Sequence, residues 1–221
     1  MKVDYKIPAG ETRDLVFVNE TNLDWHIIQE EKSVLRIHVL CLSQDDKDAK
    51  WQSSLTVEQN GSGCRTELYG MGLLHTSQQS FVHTRVIHNV GGGYSSQVFK
   101  FVLDDVAKGS FQGELKIQPN AQQTEAYQTN RNILLSRGAE MITEPQLEIY
   151  ADDVKASHGA TTGQLDESAL FYMQQRGISL KEARLLLMFA FVNEVIDTIR
   201  MDALKDRLHL LVEKRFRGEL N

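Results

Sequence analysis

From about Leu15 to Ala160 the apolar residues of this chain recur at every second position, and after Gly163 they recur every third or fourth. A period of two sends alternate side chains to opposite faces of a strand, whereas a period near 3.6 marks a helix. In Leu35-Arg36-Ile37-His38-Val39-Leu40-Cys41, residues Leu35, Ile37, Val39 and Cys41 share one face. In the segment from Trp51, residues Trp51, Leu55 and Val57 oppose Gln52, Ser54, Thr56 and Glu58; in the segment from Phe111, residues Phe111, Leu115 and Ile117 oppose Gln112, Glu114, Lys116 and Gln118. Strand starts near Trp51, Cys64, Phe81, Gln97 and Phe111 lie 13, 17, 16 and 14 residues apart. Turn signals punctuate them at Asn60-Gly61-Ser62-Gly63, Gly91-Gly92-Gly93, Lys108-Gly109, Pro119-Asn120, Arg137-Gly138 and Glu144-Pro145. No helical pattern separates these strands, so the body is a sandwich, a barrel or a β-solenoid, and the periodicity leaves all three open. Successive segments share no sequence identity.

The tail obeys helix rules. Asp166 is placed to cap a short helix running to Arg176, and Gly177 suits a left-handed C-terminal cap. Ser179 with Glu182 forms a capping box that opens a long helix, with Ala183, Leu186, Leu187, Ala190, Phe191 and Ile196 as its apolar positions. A last helix, about Asp202 to Phe216, aligns Leu204, Leu208, Leu211 and Val212, and Lys214, Arg215 and Arg217 suit the negative pole of its dipole. The division is a β-rich body over 1–163 and a helical region over 164–221.

Composition excludes several function classes. Twenty-four Lys+Arg against thirty Asp+Glu give a net charge of −6, which argues against a general nucleic-acid binder. Cys41 and Cys64 are the only cysteines, too few for a disulfide framework or a four-cysteine zinc site. The first residues, MKVDYKIPAGETRD, have no apolar core of a secretory signal, and the densest apolar run, Leu185 to Val192, stops at Asn193-Glu194. The expectation is a soluble, cytoplasmic protein without membrane or nucleic-acid partners.

The chemistry-bearing residues are sparse. Gly91-Gly92-Gly93-Tyr94-Ser95-Ser96 is glycine-rich but lacks the lysine and following helix of a phosphate-binding loop, and it reads as a turn between strands. His83 and His88 are five residues apart, which puts them on opposite faces of an ideal strand. His26, His38, His75 and His209 read as structural with them. His158 differs, because it shares a face with Val154, Ala156 and Ala160, small apolar residues that give an imidazole no partner. A thiol two residues before it could join it at one metal centre, but that position is Ala156. Cys41 and Cys64 sit among apolar residues, where a free thiol behaves as a small hydrophobe, and either is only a weak metal-ligand candidate.

Residues 146–163, QLEIYADDVKASHGATTG, resemble the signature of the SufB/SufD family. The resemblance continues through Gln164-Leu165-Asp166, Ala169-Leu170-Phe171-Tyr172 and Arg176-Gly177-Ile178, and upstream through Phe99–Asp105, Ala121–Gln128 and Asn130–Ser136. The Ser-His-Gly-Ala-Thr wording is similar to the SufD side rather than SufB. The resemblance implies a right-handed parallel β-helix followed by a C-terminal helical region. It also implies a non-catalytic scaffold or partner subunit in iron–sulfur cluster assembly, acting with a SufB-like subunit and a SufC-like ATPase. The ATPase would dock on the helical region, with Phe171, Tyr172, Arg176 and Leu186 as contact candidates. His158 would lie by the subunit interface, where an iron–sulfur cluster forms transiently; no cofactor is expected to be held stably by this chain alone. Ala156 stands where the family often has cysteine, and the chain is expected to lack the family's helical N-terminal domain. An open edge rung invites pairing through the backbone, with a SufB-like chain or as a homodimer. Two other readings remain: a small metal-dependent enzyme using His83, His88 or His158, and a structural paralogue that pairs without cluster chemistry.

Overall fold

The computed structural model describes residues 2–42 and 46–217. Among the described residues twelve strands precede three helices. The odd-numbered strands β1 (Val3–Ile7), β3 (Asn22–Gln29), β5 (Lys50–Gln59), β7 (Gln79–His88), β9 (Lys108–Ile117) and β11 (Glu140–Ile149) form one sheet in sequence order. The even-numbered strands β2 (Thr12–Val18), β4 (Val34–Cys41), β6 (Arg65–Leu74), β8 (Tyr94–Leu103), β10 (Thr124–Leu134) and β12 (Val154–Gly163) form the other. Every pairing is parallel, so the chain alternates between sheets and climbs one rung with each pair of strands. This is a β-solenoid, the third of the architectures that a period of two allows and the one implied by the resemblance.

The strands begin within a few residues of the starts read from the sequence, and one rung is a pair of the spacings found there. Two turn signals fall inside strands instead. Lys108-Gly109 opens β9, where the missing Cβ makes room for the Met141 side chain of the next rung; a Cβ there would lie 2.5 Å from Met141 Sδ. Glu144-Pro145 lies in β11, the edge strand of its sheet, where proline's absent N–H costs no ladder bond. The corners between odd and even strands repeat in backbone shape rather than in residue type. Gly10, Lys32, Gly63, Gly92 and Gln123 all have positive φ, at intervals of 22, 31, 29 and 31 residues.

Inward residues stack in rows from rung to rung. Ile27, Val57, Val86, Leu115 and Leu147 form one row of the first sheet. In the second sheet Val39, Gly70, Phe99, Asn130 and Ala160 form one row, and Cys41, Gly72, Phe101, Asn132 and Thr162 form another. The glycines are required by the rings above them: a Cβ on Gly70 would meet Phe99 Cδ1 at 2.1 Å, and one on Gly72 would meet Phe101 Cδ1 at 2.5 Å. Trp51, Phe99, Phe101 and Phe111 are fully buried in this interior, each contributing ~1.5–3 kcal/mol or more by leaving water.

The helices α1 (Glu167–Gln175), α2 (Leu180–Ile196) and α3 (Asp202–Arg217) follow, with Asp166 and Ser179 as N-caps of the first two. Helix α2 lies on the outer face of the second sheet. Its Met188, Val192, Val195 and Ile196 pack with Leu40, Met71, Leu73, Val102 and Ile133, and Leu208 and Val212 of α3 join them. The buried face of α2 matches the expected one only in part: Ala183 and Ile196 are buried as expected, Leu186 and Ala190 are exposed, and Leu185, Met188 and Val192 are buried instead. A run as uniformly apolar as Leu185–Val192 gives no polar face by which to orient it. Lys100, buried on β8, latches the helix to the sheet. Its Nζ donates to Phe191 O at 2.8 Å, pairs with Glu194 and lies 4.6 Å from the Phe191 ring centroid.

Candidate functional site

The solenoid ends on β11 and β12, the terminal strands of the two sheets. Outer-surface pairs tie this rung to the one before it. Lys155 reaches Glu125 at 3.0 Å, Lys116 reaches Glu148 at 2.8 Å and Lys108 reaches Glu140 at 3.0 Å. The Lys155 ammonium holds the Glu125 carboxyl below the usual carboxylate range, and Lys116 does the same for Glu148. The inner side has no such closure. Val154 and Ala156 pack against the core, and Thr162 Oγ1 accepts from Asn132 Nδ2 at 3.1 Å, which fixes this as the inward face of β12. His158 lies on that face between Ala156 and Ala160, yet it is exposed, because no further described rung covers it. Directly beneath it the row continues inward through Gln128, Gln97, Leu68 and Ile37.

The two thiols lie elsewhere. Cys41 ends β4, four strand spacings from β12, and Cys64 immediately precedes β6, three spacings away. At ~4.8 Å per spacing these are separations of roughly 19 and 14 Å along the solenoid. Burial pushes the Cys41 thiol up to about 12, so it stays protonated beside Ser80. Cys64 Sγ donates to Glu30 O at 2.9 Å. Neither thiol lies beside His158. Among the described residues no group of three or more His, Cys, Asp and Glu side chains is placed to hold a metal ion.

The remaining histidines stay apart. His88 points into the solenoid, fully buried, with Nε2 2.8 Å from Ser95 Oγ, and burial lowers its pKa to about 4. His83 is on the opposite face of β7, exposed between Ser54 and Gln112 on the outside of the first sheet. His38, under the helices, stacks on Tyr69 and reaches Thr198 Oγ1 at 2.8 Å, with its pKa also lowered to about 4 by burial.

The helical candidates are exposed. Helix α1 buries none of its residues; Phe171 and Tyr172 are 63% and 60% exposed, and the Arg176 guanidinium lies 5.0 Å from the Tyr172 ring centroid. Leu186 on α2 is exposed too, as is Leu180 at the start of the same helix. Sequence reasoning did not single out Lys100 or Gln128. Alternation puts Gln128 on the inward face with Ala126 and Asn130, but it puts Lys100 outward between Phe99 and Phe101, and only the packing of α2 on that face buries it.

Residues 20–191 match the SufBD core domain, described as a SUF system FeS cluster assembly domain. The chain is 32% identical over 163 residues to the iron–sulfur cluster assembly protein SufD of Escherichia coli, covering 74% of this chain and 38% of that protein. It is 37% identical over 162 residues to an iron–sulfur cluster assembly SufBD family protein of Synechocystis, covering 73% and 36%. It is also 37% identical over 152 residues to the chloroplastic protein ABCI7 of Arabidopsis thaliana, covering 68% and 32%. The chain spans about a third to two fifths of the length of these relatives. No helix among the described residues is long and apolar enough to cross a membrane. With its core domain matched over most of its length, the chain belongs to the SufBD family.

Proposed function

We propose that this chain is a SufD-like, non-catalytic partner subunit in iron–sulfur cluster assembly, pairing through its open end with a SufB-like chain and receiving a SufC-like ATPase on its helical region. The observation that carries this reading is the placement of the family motif. The segment Ser157-His158-Gly159-Ala160-Thr161 forms the terminal strand of a sheet, with its inward imidazole exposed. A terminal parallel strand has unpaired backbone donors and acceptors along its free edge, which favours pairing with a second strand. The matching domain and the names of its relatives support an assembly role rather than an enzymatic one. Ala156 leaves the thiolates of the cluster to the partner, so the cluster is transient and shared. The exposed aromatic surface of α1, with Leu186, supports docking of a partner on the helices.

The test is anaerobic co-purification of the full chain with the SufB-like and SufC-like proteins of its source, reading mass by light scattering and cluster content by absorbance. A stable complex whose cluster is lost in His158→Ala is the expected result. A stable complex with an unchanged cluster in that variant would leave only the pairing role. Failure to form a complex would overturn the proposal.

A further inference from the structure

The interior of the last rungs holds polar groups with nothing to bond. Gln128 is 2% exposed on β10, and both its Oε1 and its Nε2 lack a hydrogen-bond partner. Gln97, one rung below and 1% exposed, accepts from Thr84 Oγ1 at 2.5 Å but leaves its own Nε2 unpaired. A buried carboxamide with neither atom paired costs a few kcal/mol of lost hydration. Such a group calls for a hydrogen-bond partner, and the structure leaves it without one.

The direction in which that partner lies is set by the packing. Gln128 reaches across the solenoid to Gly113 of β9, where a Cβ would fall 1.9 Å from Gln128 Nε2. Above Gly113 in the first sheet stands Pro145, which has no N–H to offer. Toward the interior the residue in register is Gln97, whose Nε2 is also unpaired and makes no bond to Gln128. Toward the open end the residue in register with Gln128 is His158, on the same inward face and one strand spacing of ~4.8 Å away. His158 is exposed and makes no bond to Gln128 in the free chain, so its ring is free to turn along the row once a partner covers the end.

We infer that Gln128 is a positioning residue for His158: its carboxamide oxygen accepts from one imidazole N–H and leaves the other ring nitrogen, with its lone pair, facing out of the solenoid. This rests on the reading of His158 as the working group of the open end. A ligating imidazole needs its second ring nitrogen held in this way, because the bond fixes both tautomer and orientation. Gln128 is buried and reaches no cargo, so it acts only through His158.

The test uses the full chain, free and paired with its SufB-like partner, in three variants. Gln128→Met keeps the length and volume of the side chain without its polar atoms, Gln128→Glu keeps the acceptor oxygen, and His158→Ala removes the ring. The first readout is the imidazole ¹⁵N spectrum of His158 in the complex at fixed pH. One tautomer in the wild type, an averaged pair in Gln128→Met and recovery in Gln128→Glu is the expected pattern, and a spectrum unmoved by Gln128→Met overturns the inference whatever His158 does. The second readout is cluster content. Gln128→Met is expected to weaken it roughly 10-fold or more, and no further in the His158→Ala background. Multiplicative losses in the double variant also overturn the inference. Loss in neither single variant would instead sink the role given to His158, and the ¹⁵N pattern would still decide whether Gln128 holds the ring. Unchanged melting temperatures exclude a simple folding defect.

Discussion

The middle and last rungs of the solenoid are built on one pattern and end in opposite states. In β5 to β8 each inward residue is roofed by the rung above, and Trp51, Leu55, Val86, Phe99 and Phe101 are almost completely buried. In β11 and β12 the same inward positions carry Thr143, Pro145, His158, Ala160 and Thr162, and those of β12 from His158 onward lie open. The middle uses large side chains over glycine gaps; β11 still turns Met141 and Leu147 inward, whereas β12 from His158 onward uses small and polar ones. A strand with a second neighbour is stabilised by filling space. A terminal strand must stay soluble alone and still accept a partner, and small, polar residues meet both demands.

The contrast can be broken most sharply in the core. Trp51→Ala is expected to cost about 3–5 kcal/mol, by lost burial and the cavity it leaves. Ile142→Ala on the outside of β11, where the side chain is 59% exposed, should stay within about 0.5 kcal/mol. Chemical denaturation of both variants checks this. Equal losses would mean that the end rung is packed as tightly as the middle.

Acid should act on the buried imidazoles. His38 and His88 titrate at about 4 in the fold against an ordinary value of 6.5, each because burial disfavours the charged ring. Between those values the unfolded chain binds the extra protons, so stability is complete above pH 6.5 and is lost as pH falls toward 4. Each ring adds a slope approaching about 1.4 kcal/mol per pH unit. Denaturation midpoints measured from pH 7 to 4.5 should show this decline, and His88→Gln should flatten it. A decline unaltered by that variant would place its origin elsewhere.

Glycine substitutions give the smaller effects and the cleanest pairing of regions. Gly70→Ala drives a methyl into the Phe99 ring and is expected to cost about 1–3 kcal/mol. Gly159→Ala on β12, where a Cβ meets nothing within 4 Å, should change stability by no more than about 0.5 kcal/mol. Melting curves of the two variants measure the difference directly.

Much of this was legible in the sequence, though unevenly. The alternation in Phe111–Gln118 and the caps at Asp166 and Ser179 reported real elements, because period and capping chemistry are local. The solenoid itself was not legible from periodicity, because its repeat lies in backbone shape. The left-handed corner is filled by Gly10, Lys32, Gly63, Gly92 and Gln123, so residue identity hides it. The strand β1 lies before Leu15, where the alternation was first read. His158 stood out because an imidazole among small apolar residues is anomalous. Gln128 did not, because its unpaired state depends on which side chains face it across the solenoid.

The most direct test of the open end as the pairing face is amide hydrogen exchange of the full chain, free and with its SufB-like partner. Protection should rise in β12, Val154–Gly163, and in neighbouring β11, with β5 to β8 already protected and unchanged. Protection gained on the outer face of the first sheet instead, with β12 still exchanging freely in the complex, would contradict the account.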